Sequence, residues 1–131
     1  MTRTFAALML TGAFALPAWA HHSGTMFDPD REITVEGVVN EFQYTNPHSW
    51  LLVDVTNEDG TVTTWGFETA GPLGLRFAGI RRSDLLPGTR VTVTGRPMKD
   101  GRPGAAFVRA VRDDGKVFDP GDRAEGFTVP E

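Results

Sequence analysis

The chain contains no cysteine. That absence excludes disulfide staples, thiolate zinc sites, redox exchange through a CxxC pair and anchoring through a lipidated thiol. Serine is scarce too, with Ser23, Ser49 and Ser83 the whole set. Ser49 adjoins His48, but neighbours along a strand face opposite sides, so the two cannot form a nucleophile–base pair there. Gly71-Pro72-Leu73-Gly74 is too short for a phosphate-cradling loop and lacks its lysine. No apolar run reaches the roughly 20 residues that a membrane span needs, and no internal repeat is visible. The net charge of −4 weighs against a nucleic-acid partner. Glu32, Glu36, Glu41 and Asp54 are available as acids, but acids on strands are expected on solvated faces rather than as a catalytic pair.

What is present begins with a leader. Arg3 precedes an apolar run over residues 5–16, Pro17 breaks it, and Ala18-Trp19-Ala20 offers small residues where a signal peptidase reads. Residues 1–20 are therefore expected to be a cleaved signal peptide, leaving no stable membrane anchor and placing the mature chain in the periplasm or outside the cell. Removing 20 of 131 residues leaves 111, enough for one monomeric domain and too few for two. Charge is uneven along it. Residues 21–75 hold Arg31 against nine acids, whereas residues 76–118 hold ten bases against four acids. Residues 119–131, acidic and poor in apolar side chains, are expected to form a flexible tail.

Between leader and tail the hydrophobic period is mostly two, which predicts strands. Ile33 and Val35 alternate with polar neighbours, and beyond Gly37 the phase moves to Val38, Phe42 and Tyr44, as a bulge or bend at that glycine would produce. Leu51, Val53 and Val55 form the inner face of a second strand, Asn57-Glu58-Asp59-Gly60 a hairpin turn, and Val62, Trp65 and Phe67 the next strand, with a second phase slip expected at Thr63-Thr64. Gly71-Pro72 opens a short helix whose apolar face is predicted to be Leu73, Phe77 and Ile80. Val91 and Val93, then Ala106, Val108 and Ala110 against Phe107 and Val111, give two more strands, and Lys116-Val117-Phe118 a short sixth. Three strands, a helix, then two or three strands is the order of the OB-fold, so residues 21–118 are expected to be all-β with one short helix: a small OB-like barrel of five or six strands. A plain sandwich is the competing architecture.

All three histidines lie in two short segments. His21 would be the first mature residue, with a free amine beside its imidazole, and both groups shed protons near neutral pH. Amine, His21 ring and His48 ring would make a three-nitrogen set of the kind that suits Cu(II), with Asp28, Asp30 or water completing the shell and Met26 offering a thioether to Cu(I). A second mode uses His22: amine, the intervening amide and the His22 ring chelate Cu(II) without the barrel. His48 sits in Asn46-Pro47-His48-Ser49, a loop entering the second strand, and loops on rigid barrels are common places for sites. The bland alternative is that His48 bonds only its own turn. Trp50, Trp65 and Tyr44 offer a different site, a stacking platform for an oligosaccharide, peptide or envelope protein without metal, though such rings more often pack. Arg76, Arg81, Arg82, Arg96, Lys99 and Arg102 could line an anion patch, with a scattered solvated face the more ordinary outcome.

Three stretches together resemble a family of small exported bacterial proteins known as an uncharacterised domain: His21-His22-Ser23, Phe42-Gln43-Tyr44-Thr45-Asn46-Pro47-His48-Ser49-Trp50, and residues 87–97 from Pro87-Gly88 to Arg96-Pro97. The resemblance implies a periplasmic location and an OB-like barrel and brings no activity. The expectation is therefore a non-enzymatic binding or accessory protein, with copper as the leading ligand and its protein partner open.

Overall fold

A computed structural model describes residues 23–121. The elements, in chain order, are a 3-10 turn at Ser23–Met26, β1 (Ile33–Gln43), β2 (His48–Thr56), β3 (Val62–Ala70), α1 (Pro72–Phe77), a second 3-10 turn at Arg82–Asp84, β4 (Arg90–Pro97), β5 (Gly104–Arg112) and β6 (Val117–Phe118). The sheet order is β3-β2-β1-β4-β5-β6, and a further β3–β5 pairing closes the first five strands into a barrel with β6 added at the edge of β5. This is the OB-like barrel expected from the order of elements, and the sandwich alternative falls with the closure.

β1 makes closure possible because it serves two neighbours. Ile33 to Val38 pair with β4 and Val38 to Gln43 with β2, so one long strand hands over from one side of the barrel to the other. The seam between β3 and β5 is short and parallel, Gly66 opposite Gly104, Phe67 opposite Ala105 and Glu68 opposite Ala106. Both seam glycines serve close approach: a Cβ on Gly104 would lie 2.8 Å from the Met98 Cε, and one on Gly66 would lie 3.3 Å from the Trp50 Cε3. Met98 and Trp50 thus lie over the outside of the seam.

The interior is filled from every strand and from the α1 segment. Phe67, Val53 and Val93 are fully buried, Leu51, Leu75 and Leu85 nearly so, and Phe118 from the short β6 joins them. Each such side chain stabilises the fold by roughly 1.5–3 kcal/mol through removal of apolar area from water. With no disulfide available, this core holds the barrel.

Four local expectations need correction. The phase change in β1 is at Asn40–Glu41, where the register with β2 shifts and two consecutive residues are exposed; Gly37 stays in phase, and Val39 rather than Val38 is the buried residue. No slip occurs at Thr63-Thr64, since β2 and β3 pair without a break from His48–Ala70 to Thr56–Val62. The apolar face of α1 is Leu75 with Ile80, whereas Leu73 and Phe77 stand more than half exposed. In β5 a bulge opposite Thr94/Gly95 takes up one residue, so the inward positions are Ala105 and Phe107, then Ala110. Of the expected leader, domain and tail, residues 1–22 and 122–131 lie outside the described residues.

Candidate functional site

His48 opens β2, and the strand period decides what it can do. Ser49, Leu51 and Val53 point inward with at most 1% exposure, so His48, Trp50 and Leu52 point outward. The His48 side chain is 46% exposed, and its Nδ1 lies 3.3 Å from the Glu68 Oε1. Glu68 sits on the same outer face, opposite Trp50 on β2 and Ala106 on β5. An outward acid on a small barrel would normally be solvated. Here it is 9% exposed, because β3 has a neighbour on each side and the indole of Trp50 lies over the adjacent Gly66. The second carboxylate oxygen, Oε2, is buried and has no hydrogen-bond partner.

The loop that delivers His48 is fixed at several points. Thr45 Oγ1 donates to the His48 carbonyl at 3.1 Å, and the buried Ser49 Oγ donates to the Thr45 carbonyl at 3.2 Å. The Asn46–Pro47 peptide is cis. Gly71, at the exit of β3, packs so closely under this loop that a Cβ there would be 2.7 Å from the Pro47 carbonyl oxygen and 2.9 Å from Asn46 Oδ1. The imidazole is therefore presented by a braced corner, held by β2–β3 pairing below and by the β3–α1 junction beside it.

The chemistry of such a pair follows from which nitrogen faces the acid. A carboxylate at Nδ1 favours the tautomer with its proton there, leaving the Nε2 lone pair for a ligand. Histidines that bind metals are commonly oriented in this way by an acid on their other nitrogen. Ser49 is on the other side of the strand and takes no part, as the strand period requires.

The remaining candidates are dispersed. His21 and His22 lie outside the described residues. Met26 and Asp28 flank the bridge that Phe27 makes with Met98, the Met26 carbonyl accepting from the Lys99 amide and the Asp28 amide donating to the Pro97 carbonyl. That anchor is level with Gly104 and Gly66, whereas His48 is level with Ala70, four residues or roughly 13 Å further along the strand direction. Asp28 and Met26 are thus not gathered around His48, and among the described residues no group of three or more His, Cys, Asp or Glu side chains could hold a metal ion. Nor are the three aromatic candidates brought together. Trp50 points outward over Gly66; Trp65, paired with the inward Val53, packs against the core and stacks with Phe67 at 6.3 Å; Tyr44 meets Phe42 edge-on at 5.4 Å.

Glu68 is the site residue that sequence reading misses. Its only local signal is an acid within an otherwise apolar and aromatic stretch, Trp65-Gly66-Phe67-Glu68. Its burial depends on Trp50 and Ala106, which are remote in sequence.

Compared with known proteins, residues 9–107, about three quarters of the chain, match the sequence profile of a family described as a family of unknown function, DUF6152. No curated protein and no solved structure matches. Among the described residues, no helix is long and apolar enough to cross a membrane.

Proposed function

The chain belongs to the DUF6152 family of unknown function, and on that premise we propose that it is an exported, non-enzymatic binding protein whose barrel offers His48 to a metal ion, copper foremost. One observation carries the reading: a half-exposed imidazole whose Nδ1 faces a buried carboxylate, with that carboxylate's other oxygen unpartnered. Burying an acid beside a solvent-facing ring costs stability, and local costs of that kind are characteristic of functional sites. Export to the periplasm or beyond rests on the leader pattern in residues 1–20.

In this reading Nε2 of His48 supplies one ligand. Glu68 holds the ring's tautomer and balances the charge that a bound cation draws onto it. The freed amine and ring of His21 supply further nitrogens, which favours Cu(II) over harder ions. Asp28 and Met26 are left out of the proposed set, because the register holds them beside Met98.

The test is Cu(II) titration, by calorimetry and electron paramagnetic resonance, of protein processed to begin at His21. Three counterparts are titrated beside it: one with an extra residue before His21, His48→Ala and Glu68→Gln. The proposal expects weaker binding in all three, by about 10–100-fold for Glu68→Gln as for other residues that orient a metal ligand. Unchanged affinity and spectra in His48→Ala would remove the barrel from the site. If only the extra residue mattered, the metal would belong to a terminal amine–His21–His22 chelate, and the proposal would fall.

A further inference from the structure

The bases of residues 76–118 are not evenly spread over the surface. α1 (Pro72–Phe77) stops because Gly79 adopts φ 77°, which lets the Gly79 amide bond the Arg76 carbonyl and the Ile80 amide bond the Leu75 carbonyl. The chain reverses there and carries Arg81 and Arg82 back beside Arg76. With Tyr44 these three arginines line a cavity of about 450 Å³.

Among the described residues none of the three arginines is in an ion pair. Ion pairs there belong to His48, Arg102, Arg112 and Lys116. Asp84, the nearest acid in sequence, is already engaged: Oδ1 accepts from Lys116 Nζ at 2.8 Å and Oδ2 from the Arg81 backbone amide at 2.8 Å. Tyr44 supports the arrangement from beneath. Its hydroxyl is shared between the carbonyls of Pro72 and Ile80, each at 3.1 Å, so one phenol ties down both ends of the segment that carries Arg76. Burial raises the Tyr44 pKa, Arg76 opposes the rise and Asp84 adds to it, so the phenol stays protonated and keeps donating.

Three arginines gathered around one hollow raise the positive potential there, which favours an anion in it. A carboxylate offers only one two-oxygen edge to a guanidinium fork. A phosphoryl group offers three acceptor oxygens and close to two negative charges, so it can engage more than one fork at once. We propose that the cavity between Tyr44 and Arg76, Arg81 and Arg82 is a binding site for a phosphoryl group, carried by a soluble phosphomonoester or by a lipid headgroup.

The experiment uses the whole protein with a chelator present, which separates this site from the metal reading. Inorganic phosphate, glycerol 3-phosphate and acetate are titrated while the arginine Nε–H resonances and the heat of binding are followed. Vesicles of phosphatidic acid in neutral lipid form a further arm. The proposal expects saturable binding of at least one phosphate probe, with shifts at Arg76, Arg81 and Arg82. In the Arg81→Gln/Arg82→Gln double variant, binding falls at least tenfold; in Arg96→Gln, which lies outside the cavity, it is unchanged. Binding of vesicles alone assigns the phosphoryl group to a lipid, and binding of glycerol 3-phosphate assigns it to a soluble ester. Both arginines are exposed and the backbone amide of Arg81 survives the change, so the fold should persist, as circular dichroism checks. No saturable binding by any phosphate probe, equal binding of acetate, or an unaffected double variant overturns the proposal.

Discussion

Replacing Glu68 with leucine should make the metal-free protein more stable while weakening metal binding. The magnitude follows from two terms. The buried Oε2 has no partner, and leaving such a group unsatisfied costs about 1–3 kcal/mol. The contact of Oε1 with His48 returns at most about 1 kcal/mol, since the imidazole is nearly half exposed to water. Leucine is close to glutamate in volume, avoids both terms, and sits on an outer face already covered by the Trp50 ring. The expected gain is therefore about 1 kcal/mol, equivalent to roughly 4–8 °C in Tm for a domain of this size. Urea unfolding of both proteins at neutral pH, followed by tryptophan fluorescence with a chelator present, measures it directly. A loss of 1 kcal/mol or more in the leucine variant would show that the carboxylate is satisfied in the native protein, and the argument from an orphaned oxygen would fail with it. The same variant should bind Cu(II) more weakly than the parent, so stability and binding move in opposite directions.

Two further outcomes test the fold. Phe67 is fully buried, stacks with Trp65 and closes the β3–β5 seam, so Phe67→Ala should cost about 3–5 kcal/mol in chemical unfolding; a loss under about 2 kcal/mol would mean the core collapses into the space. Asp114 has its pKa lowered to about 2, chiefly by the hydrogen bonds from Arg112, with the Lys116 amide adding. A carboxyl whose folded pKa is depressed adds stability above its ordinary value near 3.9 and loses it as the pH falls towards 2. Asp114→Asn should accordingly flatten the dependence of unfolding free energy on pH between roughly 4 and 2, and an unchanged slope would deny that the Arg112 pair survives in solution.

The strand order was legible because alternation and turn residues are local signals. Asn57-Glu58-Asp59-Gly60 makes its hairpin with Gly60 at φ 83°, and Val91 and Val93 point inward as their spacing implies. Features set by distant partners were not legible. The β3–β5 pairing spans three residues, too few to leave a period in either strand, yet it closes the barrel. The face of α1 was misread because the helix is only six residues long: Gly79 ends it, and Ile80 reaches the core from beyond the reversal rather than from the helical stripe that Leu73 and Phe77 suggested. The site divides along the same line. His48 could be singled out by residue type and loop position, whereas Glu68 acquires its meaning from its neighbours across the sheet. The arginines were visible as an excess of bases, but only the reversal at Gly79 selects Arg76, Arg81 and Arg82 from it, while Arg102 is taken up by Asp100 at a separate turn.

The two candidate sites share one corner, residues 44–48, and the structure indicates how independent they are. Tyr44 reaches towards the α1 segment, and its contacts there are to the Pro72 and Ile80 carbonyls. His48 is positioned by pairing with Ala70 and by the carboxylate of Glu68, both on β3. Between them, Ser49 is buried and bonded to the Thr45 carbonyl, and the loop rests on Gly71. A change that loosens Tyr44 should therefore disturb the arginine cavity while leaving the imidazole where the sheet holds it. Coupling between a cation at His48 and an anion at the arginines would run along residues 44–48 themselves and through Gly71, the residue that ends β3's course towards α1 and carries the loop above it. Because packing there leaves no room even for a methyl group, that junction is stiff, and a stiff junction holds two sites at a fixed spacing rather than switching one with the other.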